Sequence, residues 1–155
     1  DIEVWLDDGR QPGDDTLAGV RTVYGTETIG TAAALAALDS DAHRHCVLSL
    51  DRPAGSAPET GALTSDRACW PEDVIVMDLG RVGRAGGFDA GRFAGLRADA
   101  PGQRLYLAGG IRDAGDLAQA ARLGADGVLL ATALHRGTLT AADIARWRAN
   151  RERQA

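Results

Sequence analysis

Two aspartates close apolar runs where they could do proton chemistry. CVLSL at 46–50 stops at Asp51, and the run DVIVMDL at 73–79 carries Asp78 just ahead of Gly80. A carboxylate at the end of a buried strand is held by a rigid element. It can exchange a proton with a ligand when a second group stands in the opposite protonation state. Plainer readings exist for both. Asp51 could cap a helix or pair with an arginine that holds the loop beginning at Arg52. Asp78 could orient a polar substrate or satisfy buried backbone N–H groups near Gly80, with Arg81 one short turn beyond.

A second set of residues suits an anion. LYLAGGIRDAGDL at 105–117 runs a buried strand into Gly109 and Gly110, and Ala131–Thr132 ends the following apolar run. Backbone N–H groups that converge on a phosphate oxygen need a chain without Cβ atoms in the way. The Thr132 hydroxyl could add one bond. The competing reading is a tight turn. Gly25–Thr26 repeats the pattern earlier, but Asp7 and Asp8 precede it, and a carboxylate facing a phosphate sets like charge against like. Arg10 could offset one of these acids. A changed ligand end, such as an amine or hydroxyl, or no ligand at all, fits that half better than a phosphate. Arg84, in a loop with Gly83, Gly86 and Gly87, is a further anion contact.

Other chemistries are disfavoured. His43 and His45 flank an arginine before a strand, and only His135, near Thr132, merits a test. With Cys46 and Cys69 they make no zinc pattern, so no metal is expected and the thiols read as reduced and buried. No GxGxxG is followed by an acid at dinucleotide spacing, so no cofactor is expected. A formal charge of −5 supplies no basic stripe for nucleic acid. No apolar run is long enough for a membrane span and no signal peptide precedes the first strand, so a cytoplasmic location is the expectation.

The elements that must carry these residues alternate. Short Val- and Leu-rich runs at 2–6, 20–24, 46–50, 73–79, 104–108 and 126–132 end in turn residues and mostly do not alternate, as buried parallel strands do. Asp113 with Asp116, and Thr140 with Asp143, mark helix starts, and Gly124 marks a helix end. Residues 30–41 read as one further helix, and the charged tail as a solvated helix end. Loop 52–72 reads as an active-site loop with at most a short helix near Leu63. The connection from Gly9 to Val20 is short for a crossover. The class is α/β, closing either as a (β/α) barrel or as an open doubly wound sheet. An internal echo favours the barrel: LDDGR with VYGTETIG resembles AGGIR with LLATALHRG.

The pieces VYGTETI, LSLD, VIVMDLGRVG, YLAGGIRD and LGADGVLLATALHRGTLT, in unbroken order, resemble the histidine-biosynthesis ribotide isomerase and cyclase barrels and their divergent relatives. The resemblance covers nearly the whole chain and implies a (β/α)8 TIM-barrel type of fold. Residues 1–155 would be a single barrel domain supplying the third to eighth strands, about six of the βα units, with the N-terminal strands missing. Two open sheet edges would follow, to be closed by further residues or by a second chain, as in a homo-oligomer.

The resemblance also implies an enzyme that binds a phosphorylated small molecule at the strand ends, an aminoimidazole ribotide or a phosphorylated sugar. Its chemistry would be acid–base isomerisation of the aldose–ketose, Amadori type. Asp51 matches the fifth-strand acid and Asp78 the first acid after strand six, while the first-strand acid has no counterpart. Gly25, Thr26, Gly109, Gly110, Ala131 and Thr132 match the phosphate loops, and Arg81 and Arg84 add substrate contacts. The chain departs from the family in reading Ala131–Thr132 for Gly-Lys, and Val82, Gly83, Arg84 for Asp-Gly-Thr. Those departures keep two alternatives open: a lyase or synthase of another phosphorylated metabolite on the same barrel, and a non-catalytic phosphometabolite-binding protein.

Overall fold

Val, Ile and Leu on both sides of a strand need cover on both faces; helices between the strands cover one, and curvature of the sheet folds the other onto itself. The computed structural model describes residues 2–14, 17–38, 40–55, 63, 66–83 and 86–153. Its strands are β1 Val4–Leu6, β2 Val20–Gly25, β3 Cys46–Arg52, β4 Asp73–Asp78, β5 Arg104–Ala108 and β6 Gly127–Leu129. They form one sheet in sequence order, every neighbouring pair parallel. Each expected strand is present.

The helices are α1 Thr26–Ile29, α2 Ala32–Ala36, α3 Ser40–His45, α4 Ala90–Asp99, α5 Ala114–Arg122, α6 Thr132–His135 and α7 Ala141–Glu152, with a 3-10 turn at Arg67–Cys69. The capping residues act as their types dictate. Asp113 accepts from the Asp116 N–H at 3.0 Å, and Thr140 and Asp143 cap α7 reciprocally. Residues 30–41 are not one helix. Thr31 caps α2 by accepting from the Ala34 N–H at 3.1 Å, but α2 stops at Ala36 with Ala37 as its C-cap, and α3 begins at Ser40. Most of the connection expected to carry a short helix near Leu63 lies outside the described residues. Leu63 itself is buried, and its carbonyl accepts from the Trp70 indole at 2.6 Å.

Alternation along the strands divides the core in two. Leu48, Leu50, Val74, Val76, Leu105 and Leu107 face the helices, where Phe93, Leu96 and Leu117 cover them. Val23, Val47, Ile75 and Ala108 form a second cluster on the other face, with Trp5, Met77 and Tyr106 against it. That face is concave. Trp5 of β1 meets Tyr106 of β5 edge-to-face with ring centroids 4.7 Å apart, although three strands lie between them. In a flat sheet they would stand about 19 Å apart.

The same curvature gathers Arg21 of β2, Asp73 of β4 and Arg104 of β5. The Asp73 carboxylate is wholly buried. It accepts from Arg104 at 2.6 and 2.7 Å and from the Tyr106 hydroxyl at 3.0 Å, and Arg21 lies 2.5 Å away. The sheet is an open, curled half-barrel of the TIM type, with β1 and β6 unpaired to each other among the described residues.

Candidate functional site

β3 and β4 bring Asp51 and Asp78 to the same rim, the C-terminal ends of the strands, but on opposite sides of the sheet. Asp51 shares the parity of Val47 and Ser49 and faces the concave side. Asp78 shares that of Val74 and Val76 and faces the helices.

Asp51 is held by its neighbours. The Ser49 hydroxyl donates to Oδ1 at 2.7 Å, and the Asp51 N–H donates to the Thr26 hydroxyl oxygen at 3.1 Å. Thr26 in turn donates to the Asp51 carbonyl at 3.4 Å. The Thr26 side chain thus serves the β2–β3 junction rather than standing open to a ligand. Burial pushes the Asp51 carboxyl above its usual value. The Ser49 and Thr26 bonds oppose the rise, while the charges of Glu27 and Asp7 add to it.

Asp78 is buried and engaged. It accepts from Arg52 Nη2, and from Arg81 Nε at 3.1 Å. Arg52 also donates to Asp89 at 2.8 Å. Arg81 donates onward to the carbonyls of Gly86 and Gly87 at 3.2 and 2.9 Å, which ties down the loop after β4. Arg84 lies outside the described residues. Near Gly25, Arg10 neutralises Asp8 with bonds of 2.9 and 2.6 Å, and that hydrogen bonding brings the Asp8 carboxyl down to about 2. One of the two acids expected to repel a phosphate there is therefore paired.

The other expected loops meet. Asp51, Met77, Ala108 and Leu129 are successive register partners across β3 to β6. From Met77 onward this row lines a cavity of about 530 Å³. Gly109, Gly110, Ala131 and Thr132 line it too, so both turns stand at one end of the sheet around one space. Val82, Ile111 and Leu130 make much of its wall apolar, and Arg136 stands at its edge.

The glycine pair has its own cause. Gly109 and Gly110 take φ +83° and +87°. A methyl group would come within 2.6 Å of the Asp78 carbonyl on the first and of the Gly87 carbonyl on the second. Close backbone packing demands both glycines, whatever the cavity holds.

Two arginines approach the cavity in different states. Arg112 is committed to Asp116 through Nε at 2.8 Å and Nη2 at 2.9 Å. The exposed Arg136 side chain has no hydrogen-bond or ion-pair partner among the described residues. Sequence reasoning missed Ser49, Arg92 and Arg136. Ser49 was accessible from the period of two that places it beside Asp51. Arg136 had the weaker signal of standing one helical turn after Thr132. Arg92 had none, because its partners lie far off in sequence. Among the described residues no three His, Cys, Asp or Glu side chains cluster to hold a metal, and no helix is long and apolar enough to cross a membrane.

An uncharacterized protein of Methanocaldococcus jannaschii is 31% identical over 126 residues, a match covering 80% of this chain and 52% of that protein. The chain thus spans about half the length of the curated relative it matches. The family model described as "Histidine biosynthesis protein" matches residues 21–140, from β2 through α6 to the cap of α7. The chain belongs to the histidine biosynthesis protein family.

Proposed function

We propose that this half-barrel is the working part of an enzyme that isomerises a phosphorylated sugar or aminoimidazole ribotide by acid–base chemistry. The observation that carries the reading is the register row from Asp51 to Leu129, which sets a carboxyl one strand away from the cavity between the 109–110 and 131–132 turns. A carboxyl raised by burial keeps its proton closer to neutral pH, which suits a general acid. The phosphate would sit against the backbone at 109–110 and 131–132, with the Arg136 guanidinium as countercharge where the family resemblance implies a lysine at 132. The rest of the substrate would lie along Met77, Val82 and Leu129. Asp78, Arg52 and Arg81 would hold the loop after β4 in place. Gly25 and Thr26 would shape the Asp51 end of the site.

The apolar wall and the acids at 7 and 8 favour a second reading on the same scaffold, a lyase or synthase of another phosphorylated metabolite. A binding protein without turnover is the third. Calorimetric titration of the full-length protein with a phosphosugar, followed by product analysis, separates them. Under the first reading Asp51→Asn abolishes isomerisation and leaves phosphosugar affinity nearly unchanged. Intact isomerisation by that variant would sink the role of Asp51. Binding without any product would leave only the third reading.

A further inference from the structure

Arg92 stands in the first turn of α4, beneath the rim that carries both aspartates. Its place is fixed locally: the Arg92 N–H donates to Asp89 at 3.0 Å as part of the helix cap, and the adjoining Phe93 is wholly buried. From there the guanidinium forks. Nη2 donates to the Leu50 carbonyl and Nη1 to the Met77 carbonyl, each at 2.9 Å. These are the carbonyls of the peptide units that lead into Asp51 and Asp78. The first of those units is also held from its other end, where the Asp51 N–H reaches Thr26.

We infer that Arg92 is a positioning residue for this rim: one guanidinium clamps the Leu50–Asp51 and Met77–Asp78 peptide units and so fixes the direction in which Asp51 presents its carboxyl. The inference rests on the reading of Asp51 as the acid and adds a residue to it. A planar fork with two parallel N–H groups can span two strand ends, which an ammonium on a flexible stem does poorly. Burial, with the like charge of Arg52, brings the Arg92 group down to about 10, so it remains a cation at neutral pH. The Asp51 carboxylate is among the charges that act on it. The charges on Asp51's own side are Glu27 from α1 and Asp7 after β1, with the Ser49 hydroxyl on its own strand, while Arg92 acts on it from the helix side of the sheet.

The test uses the full-length protein and two variants, Arg92→Lys and Arg92→Gln, whose folded state is checked from their amide spectra. Both keep a donor in a site built to receive one. The Asp51 carboxyl is followed by carbon-13 NMR titration, its signal assigned by its loss in Asp51→Asn. Arg92→Gln removes the cation, and the Asp51 titration moves further up; Arg92→Lys keeps the charge, and it stays near its original place. Turnover of the phosphosugar falls about ten- to a hundredfold in both, with affinity for it unchanged, as expected for a misaimed acid. An unmoved Asp51 titration in Arg92→Gln overturns the inference, and so does full turnover by Arg92→Lys. The titration needs no substrate, so an inactive wild type would end the catalytic reading while the link between Arg92 and Asp51 is still decided.

Discussion

The Asp51 carboxylate occupies the space that a side chain on Gly25 would need: a methyl group there would stand 2.7 Å from Asp51 Oδ2. The backbone of Gly25 is extended, with φ −74° and ψ 152°, so alanine is conformationally acceptable and the only obstacle is the carboxylate. We therefore expect Gly25→Ala to fold with a loss of about 1 kcal/mol or less, because the carboxylate can swing away. It should nonetheless lose the Ser49 bond and most of the activity. Urea unfolding and turnover, measured together, check the separation.

The burial that raises the Asp51 carboxyl also costs stability, and the sign can be worked out. A carboxyl whose folded value lies above its unfolded one binds its proton more tightly in the native state. Stability therefore falls as pH rises from the usual 3.8 through the folded value, and the full penalty is present above both. Asp51→Asn removes the penalty while still accepting from Ser49. The variant should be more stable than wild type at neutral pH, with the gain vanishing below pH 3.8. Chemical denaturation across pH 3 to 7 measures it; a variant less stable at neutral pH contradicts the account.

Asp73 has the opposite sign. Burial alone would push its carboxyl up, but hydrogen bonds from Arg104, Arg21 and Tyr106 outweigh burial and hold it below 3.8. Its contribution is present above pH 3.8 and is lost as pH falls through the folded value beneath it. Replacing it by alanine leaves Arg21 and Arg104 facing an empty buried site, and we expect a loss of about 3–5 kcal/mol. Equilibrium unfolding at neutral pH tests the magnitude. A change under about 1 kcal/mol would show that the cluster is not structural.

Arg136 would supply the countercharge in the proposed phosphate site, and its side chain has no other partner among the described residues. Arg136→Met should weaken phosphosugar binding about tenfold or more, in line with a lost charge-assisted bond, while the melting temperature stays nearly constant. Calorimetry on both proteins reads this directly. Equal affinities would place the phosphate elsewhere.

The parallel sheet was readable because its signal is local: six runs of Val and Leu, five of them ending at glycine or aspartate, each became a strand. The helix caps at Asp113 and Thr140 were readable for the same reason, since cap and partner stand three residues apart. The helix over 30–41 was misread because its alanine-rich composition carries no local signal for the end of α2 at Ala36. At the rim, the sequence placed Asp51 and Asp78 at strand ends but not on opposite faces, although strand parity holds that information. The glycine pair raised the question of ligand or turn, and the carbonyls of Asp78 and Gly87 answer for packing. Neither carbonyl is near the pair in sequence. The Arg92 fork joins residues 15 and 42 positions away, and curvature alone brings Arg21, Asp73 and Arg104 together.

The central claim is that the space between the 109–110 and 131–132 turns takes the phosphate of a small molecule whose remainder reaches toward Asp51. The most direct measurement is an amide NMR titration of the full-length protein with ribose 5-phosphate. Saturable shifts are expected to centre on Gly109, Gly110, Thr132 and Ala133 and to extend to Met77 and Asp51. Shifts confined to the Gly25–Thr26 turn, or none at millimolar ligand, would contradict it.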